Sequence, residues 1–224
     1  MIFAMMNPPF PSPPADDTAK GAIRQANEAL ILTAAERVFA GAGFGGATMA
    51  AIAKAAGLPK ANLHYYFGSK QALYRVVLAR TLSDWLLPAH GITPVADPRE
   101  ALEHYIRAKM ALLAQRPYAL RVFTNELLHG APVLGELLAT ELNPMVRAKA
   151  AVIQGWVDAG RMAPVDSKHL FFTIWAATQT YADFEVQVST VLNSLSPVQQ
   201  EHACATENVV QLLLRDCGLL TVNP

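Results

Sequence analysis

The chain has 224 residues, 52% of them hydrophobic and 16% charged, enough to bury a core and too apolar for wholesale disorder. No uninterrupted apolar run approaches the roughly 20 residues of a membrane helix, the longest lying at 170–177 with Thr173 inside it. The 18 Lys and Arg balance the 18 Asp and Glu, which excludes a uniformly basic protein, yet residues 20–75 hold seven basic against two acidic side chains, a small basic module beside a mildly acidic remainder.

The first 15 residues lack Lys and Arg and carry Pro8, Pro9, Pro11, Pro13 and Pro14, which is not the pattern of a signal peptide. Residues 1–19 read as a disordered, proline-rich tail of a cytoplasmic protein. Beyond them strand signals are almost absent and apolar residues recur three and four apart, so the expectation is an all-α chain of nine helices. The first spans 27–42, with Asn27 as cap, Leu30, Ala34, Val38 and Phe39 inward, and Gly43 as stop. Thr48 caps a short helix ending at Gly57, and Pro59 opens another that ends near Tyr66. Ser69 caps a helix to Leu87, Pro98 opens one to Arg116, and Pro117 starts the sixth. The seventh covers 132–159 with a kink or break at Pro144. The eighth runs from Asp166 or Ser167 to Val191, and the ninth covers 196–215. Cys204 and Cys217 are accompanied by no CxxC pair and no His cluster, so no metal, disulfide or other cofactor is expected.

Residues 48–67 have the spacing of a helix-turn-helix. Ile52, Ala53, Ala56, Leu58, Leu63 and Phe67 form an inner face, small where the helices approach, and Gly57 frees the turn. The second helix then presents Lys60, Ala61, Asn62 and His64 to base edges in a DNA major groove. Thr48, Tyr65, Tyr66 and Lys70 fall where phosphates pass, although one tyrosine can equally belong to the core and Lys70 can be a solvated charge.

The runs 52–58, Ile-Ala-Lys-Ala-Ala-Gly-Leu, and 62–73, Asn-Leu-His-Tyr-Tyr-Phe-Gly-Ser-Lys-Gln-Ala-Leu, resemble the N-terminal signature of the TetR family of one-component repressors. The resemblance covers about residues 27–75. It implies a DNA-binding domain at 20–75, and a ligand-binding and dimerisation domain at 76–224 whose last two long helices form a homodimer. It further implies double-stranded operator DNA and a small-molecule effector as partners. His64 departs from the family, which most often has a phosphate-touching Tyr there.

In the eighth helix Trp175, Gln179 and Asp183 share one stripe, an aromatic ring beside an amide and a carboxylate, suited to a flat heterocycle. Equally, Trp175 can be core, Gln179 can meet a backbone carbonyl and Asp183 can pair with a cation across the dimer. Trp85, Phe123 and Arg121 are further effector candidates, Arg121 either as donor to a ligand carbonyl or in a salt bridge with Glu126 or Asp183. Trp156 and Tyr181 read as structural, and Asn125 has no placeable neighbourhood. The runs 126–132, 155–166 and 175–184 resemble pyrimidine-responsive regulators within the same family, which implies release from DNA by uracil or thymine and control of pyrimidine catabolism. A sensor of hydrophobic compounds is the alternative within the family. No nucleophile with its base, productive carboxylate pair or phosphate loop suggests an enzyme.

Overall fold

The computed structural model describes residues 15–192 and 198–220, and the expectation for residues 1–14 lies outside them. Helix α1 spans Ala15–Gly46, with a non-helical break at Gly43, whose φ of 67° suits glycine. It thus starts 12 residues before the expected cap, and residues 15–19 are helical where a tail was expected. Asn27, freed from capping, donates from Nδ2 to the Tyr66 hydroxyl (3.2 Å). The inward stripe of α1 is Ile31, Ala34, Ala35 and Phe39, while Leu30 is exposed.

Helix α2 (Met49–Ala56) is capped by Thr48, whose Oγ1 accepts from the Ala51 amide. Gly57 ends it in the left-handed conformation (φ 67°), and α3 (Lys60–Phe67) follows after Pro59. Ser69 caps α4 (Lys70–Leu86), and Pro88 lies in the 3₁₀ turn Leu87–Gly91 that succeeds it. Asp97 caps α5 (Pro98–Gln115), and α6 (Pro117–Leu128) follows directly.

The expected seventh helix is broken. A single turn, α7 (Gly135–Leu137), passes through a π-helical turn (Leu138–Leu142) into α8 (Asn143–Asp158), whose first turn holds Pro144. The expected eighth helix is two, α9 (Ser167–Asp183), capped by Asp166, and α10 (Glu185–Val191). They part at Phe184 (φ −116°, ψ 37°). The flanking carboxylates anchor the bend on α6, where Asp183 accepts from the Thr124 hydroxyl and Glu185 pairs with Arg121. Helix α11 (Val198–Asp216) ends the described fold.

Two apolar clusters result. The first unites α1–α4 with α6, so the N-terminal helices and the start of the larger part share one core. The second joins α5, α8, α9 and α11, and Trp175 packs against both. No helix among the described residues is long and apolar enough to cross a membrane.

Candidate DNA-binding and effector sites

The expected inner face of the helical pair packs as its spacing implies, with Ile52, Ala53 and Leu63 buried and Ala56, Leu58 and Phe67 closed against them. Packing one side of α3 leaves Lys60, Ala61, His64 and Tyr65 exposed on the other, with Asn62 half-buried. The two tyrosines divide the roles left open by the sequence. Tyr65 is 77% exposed, whereas Tyr66 is half-buried and accepts from Asn27. The His64 Nδ1–H donates to the Gly68 carbonyl (2.9 Å), which leaves Nε2 as the ring's remaining acceptor.

Thr48 is exposed, and because its oxygen accepts the cap bond, its hydroxyl hydrogen remains for an outside acceptor such as a phosphate. Lys70 also makes contacts within the fold. Its ammonium donates to the carbonyls of Phe44 (2.7 Å) and Ala47 (2.9 Å) and lies 4.5 Å from the centre of the Phe44 ring. It is therefore not a free solvated charge, since it ties the end of α1 and the approach to α2 onto the start of α4.

The residues expected to bind an effector separate into two groups. Trp85 at the end of α4, Phe123 on α6 and Trp175 on α9 meet, with ring centres 6.0 Å (Trp85–Phe123) and 4.6 Å (Trp85–Trp175) apart. Gln179, one turn beyond Trp175, is half-buried. Arg121 and Asp183 instead line a surface groove with Phe184, Val186 and Val191. There Arg121 pairs with Glu185 at 3.1 Å, neither with Glu126 nor with Asp183. Desolvation against α6 raises the Asp183 carboxyl pKa, opposed by the Thr124 hydrogen bond and the Arg121 charge.

Trp175 also floors a pocket of about 430 Å³ between the π turn, α8 and the start of α9, walled by Leu138, Leu142, Val146 and Phe172. Its indole Nε1–H donates to the Tyr105 hydroxyl (2.8 Å). Beside these rings stands a residue the sequence reading missed. Lys109 on α5 is 2% exposed, its Nζ lies 3.2 Å from the centre of the Trp85 ring, and it donates to the Trp85 backbone carbonyl. Burial holds its pKa well below the ordinary lysine value. A signal existed: the apolar stripe of α5 at Ala101, Leu102, Tyr105, Ile106, Met110 and Leu113 runs through Lys109.

Glu126 is a structural junction that helical spacing does not reveal. Buried on α6, it accepts from the Tyr74 hydroxyl (3.0 Å) and from the amides of Val133 and Leu134, and so joins α4, α6 and the turn before α7. At the other end of α6, Arg116 pairs with Glu36 of α1 and Asp84 of α4. The aromatic cluster and the DNA-facing helices are thus braced together at both ends of one helix. Trp156 is buried, with no partner for its indole N–H among the described residues, and Tyr181 packs against both clusters.

The chain matches the family described as "Bacterial regulatory proteins, tetR family" over residues 31–77, and "YcdC-like protein, C-terminal region" over residues 78–220. It is 40% identical over 189 residues to the HTH-type transcriptional regulator RutR of Escherichia coli K12, covering 84% of this chain and 89% of that one. The RutR of Shigella flexneri matches equally. Among solved structures, a bacterial regulatory protein of the tetR family from Rhodococcus RHA1 superimposes with a TM-score of 0.67 at 18% identity, covering 87% of this chain and 98% of that one. PfmR, a TetR family regulator from Thermus thermophilus, does so with a TM-score of 0.62 at 19% identity, covering 83% and 97%. At such identities these two structures speak for the fold alone.

Proposed function

The chain belongs to the TetR family of transcriptional regulators, and from that premise we propose that it is a dimeric repressor released from its operator by a pyrimidine base. Lys60, Ala61, Asn62 and His64 read base edges, and Thr48 and Tyr65 contact phosphates. Lys70 holds the turn that presents them. The homodimer forms through α9 and α11, which carry the exposed apolar side chains of Phe172 and Leu212.

The observation that carries the effector reading is the convergence of Trp85, Phe123 and Trp175, with Gln179 one turn beyond Trp175 on the same helix, in a chain 40% identical to RutR. Such rings stack a flat base, and an amide with two donors and an acceptor matches an imide edge. Arg121 and Asp183 stand apart from this group, so in this reading they do not touch the base. Entry of the base displaces the end of α4 through Trp85, and α6 through Phe123. Both helices pack against α1, so the two recognition helices of the dimer lose the separation an operator requires.

The test is a calorimetric titration of uracil, with thymine and cytosine as comparators, into the purified protein. Micromolar binding of uracil or thymine supports the reading. A second reading has its own observation. The pocket floored by Trp175 has about 430 Å³, exposes mostly apolar surface although Asn143, Arg147, Lys168 and His169 also line it, and falls in the ~300–1,000 Å³ range of small-molecule sites. Absence of pyrimidine binding together with binding of hydrophobic compounds there makes the chain a sensor of such compounds.

A further inference from the structure

Five polar or charged side chains are buried among the described residues: Glu36, Thr81, Lys109, Glu126 and Thr178. Four of them are occupied. Glu36 pairs with Arg116, Glu126 accepts three hydrogen bonds, and the two threonine hydroxyls bond back to carbonyls of their own helices. Lys109 differs. Its amine has more than one N–H, yet the Trp85 carbonyl is its one oxygen partner among the described residues. What otherwise surrounds it is aromatic, the Trp85 ring at 3.2 Å and the Tyr105 ring at 5.3 Å. Burying an amine with donors unspent is costly, and structural need alone does not explain it, because a methionine fills the same volume without a polar atom.

We infer that Lys109 is the effector's principal hydrogen-bond donor: its Nζ–H engages a carbonyl oxygen of a pyrimidine ring stacked against Trp85 and Trp175, in exchange for the Trp85 backbone carbonyl. This deepens the pyrimidine reading of the same site and rests on it. The donor lies at the ring face rather than in the open pocket, so it rewards a small planar carbonyl compound over a bulky apolar one. In addition, the bond that the ligand replaces ties α5 to the end of α4, the helix whose other end leads from the DNA-facing turn. Ligand recognition and release of α4 therefore use one amine.

The experiment titrates uracil, 2-thiouracil and 4-thiouracil calorimetrically into the native chain, Lys109→Met and Lys109→Gln, with melting curves to establish that each is folded. Sulfur accepts hydrogen bonds poorly, so the native chain discriminates against one thio analogue. Lys109→Met loses at least about ten-fold in uracil affinity and loses that discrimination. Lys109→Gln, which keeps a donor, retains part of both and carries the comparison if the methionine variant does not fold. Equal uracil affinity in native and variant proteins, or discrimination that survives in Lys109→Met, overturns the role of Lys109 and leaves the pyrimidine reading standing. A native chain that binds neither uracil nor thymine overturns both.

Discussion

Tyr74 on α4 donates its hydroxyl hydrogen to the carboxylate of Glu126 on α6 across 3.0 Å, with both residues buried. Burial, followed by this hydrogen bond, raises the Tyr74 pKa far above its usual value, so the phenol stays a donor throughout the working range. The pair fastens the helix that follows the recognition segment to the helix that touches the aromatic cluster. Tyr74→Phe removes the donor and leaves a buried carboxylate oxygen short of a partner, a loss of about 1–3 kcal/mol. Urea unfolding at neutral pH checks this, and an unchanged midpoint contradicts the pair's importance.

Lys60 and Lys70 are both basic residues of the DNA-facing module, and the structure separates them. Lys60 is exposed at the start of α3, while the ammonium of Lys70 is bonded to two carbonyls. If Lys60 contacts a phosphate, Lys60→Ala flattens the slope of log affinity against log salt by about one unit; if it reads a base, operator preference changes instead. Lys70→Ala weakens binding to every DNA sequence and lowers the unfolding midpoint, with the salt slope little changed. Anisotropy titrations across a range of salt concentrations distinguish the two, and a slope change of about one full unit for Lys70→Ala gives that residue a direct phosphate contact.

Lys109 carries a pH prediction. Burial depresses its folded pKa below the ordinary 10.5, so between the two values the unfolded chain binds more protons than the folded one. Stability contributed by this residue therefore rises with pH through that window. The melting temperature of the native chain rises relative to that of Lys109→Met as the pH rises toward the ordinary lysine value. A difference constant across that range contradicts a neutral buried amine.

Gln179→Ala weakens uracil binding about ten-fold if the amide pairs with the base. Calorimetry reads it directly, and unchanged affinity returns Gln179 to the packed surface of α9.

Thr48, Gly57, Pro59 and Ser69 punctuate α2, α3 and α4 where local chemistry demands, since caps and left-handed glycines act within one turn. Phe184 carries no such chemistry. The break between α9 and α10 is anchored by contacts from Thr124 and Arg121, 59 and 64 residues away in the chain, beyond the reach of periodicity. The meeting of the three rings was within reach of the sequence because Trp175 lies in a run that resembles known regulators and Trp85 and Phe123 are large apolar residues. Asp183 is the last residue of α9, at the Phe184 bend, and Arg121 on α6 pairs with Glu185 just beyond it, a tertiary placement that helical spacing does not carry. Lys109 was passed over because lysine is seldom buried, although its place on the apolar stripe of α5 marked it.

In the proposed function a pyrimidine in the aromatic cluster releases DNA. The most direct measurement is operator affinity, with a site selected from random-sequence DNA, determined by anisotropy with and without saturating uracil at fixed salt. The predicted result is that uracil weakens the native complex by at least about ten-fold and leaves Lys109→Met little affected. Operator affinity that is the same with and without uracil, in a protein that binds both, contradicts it.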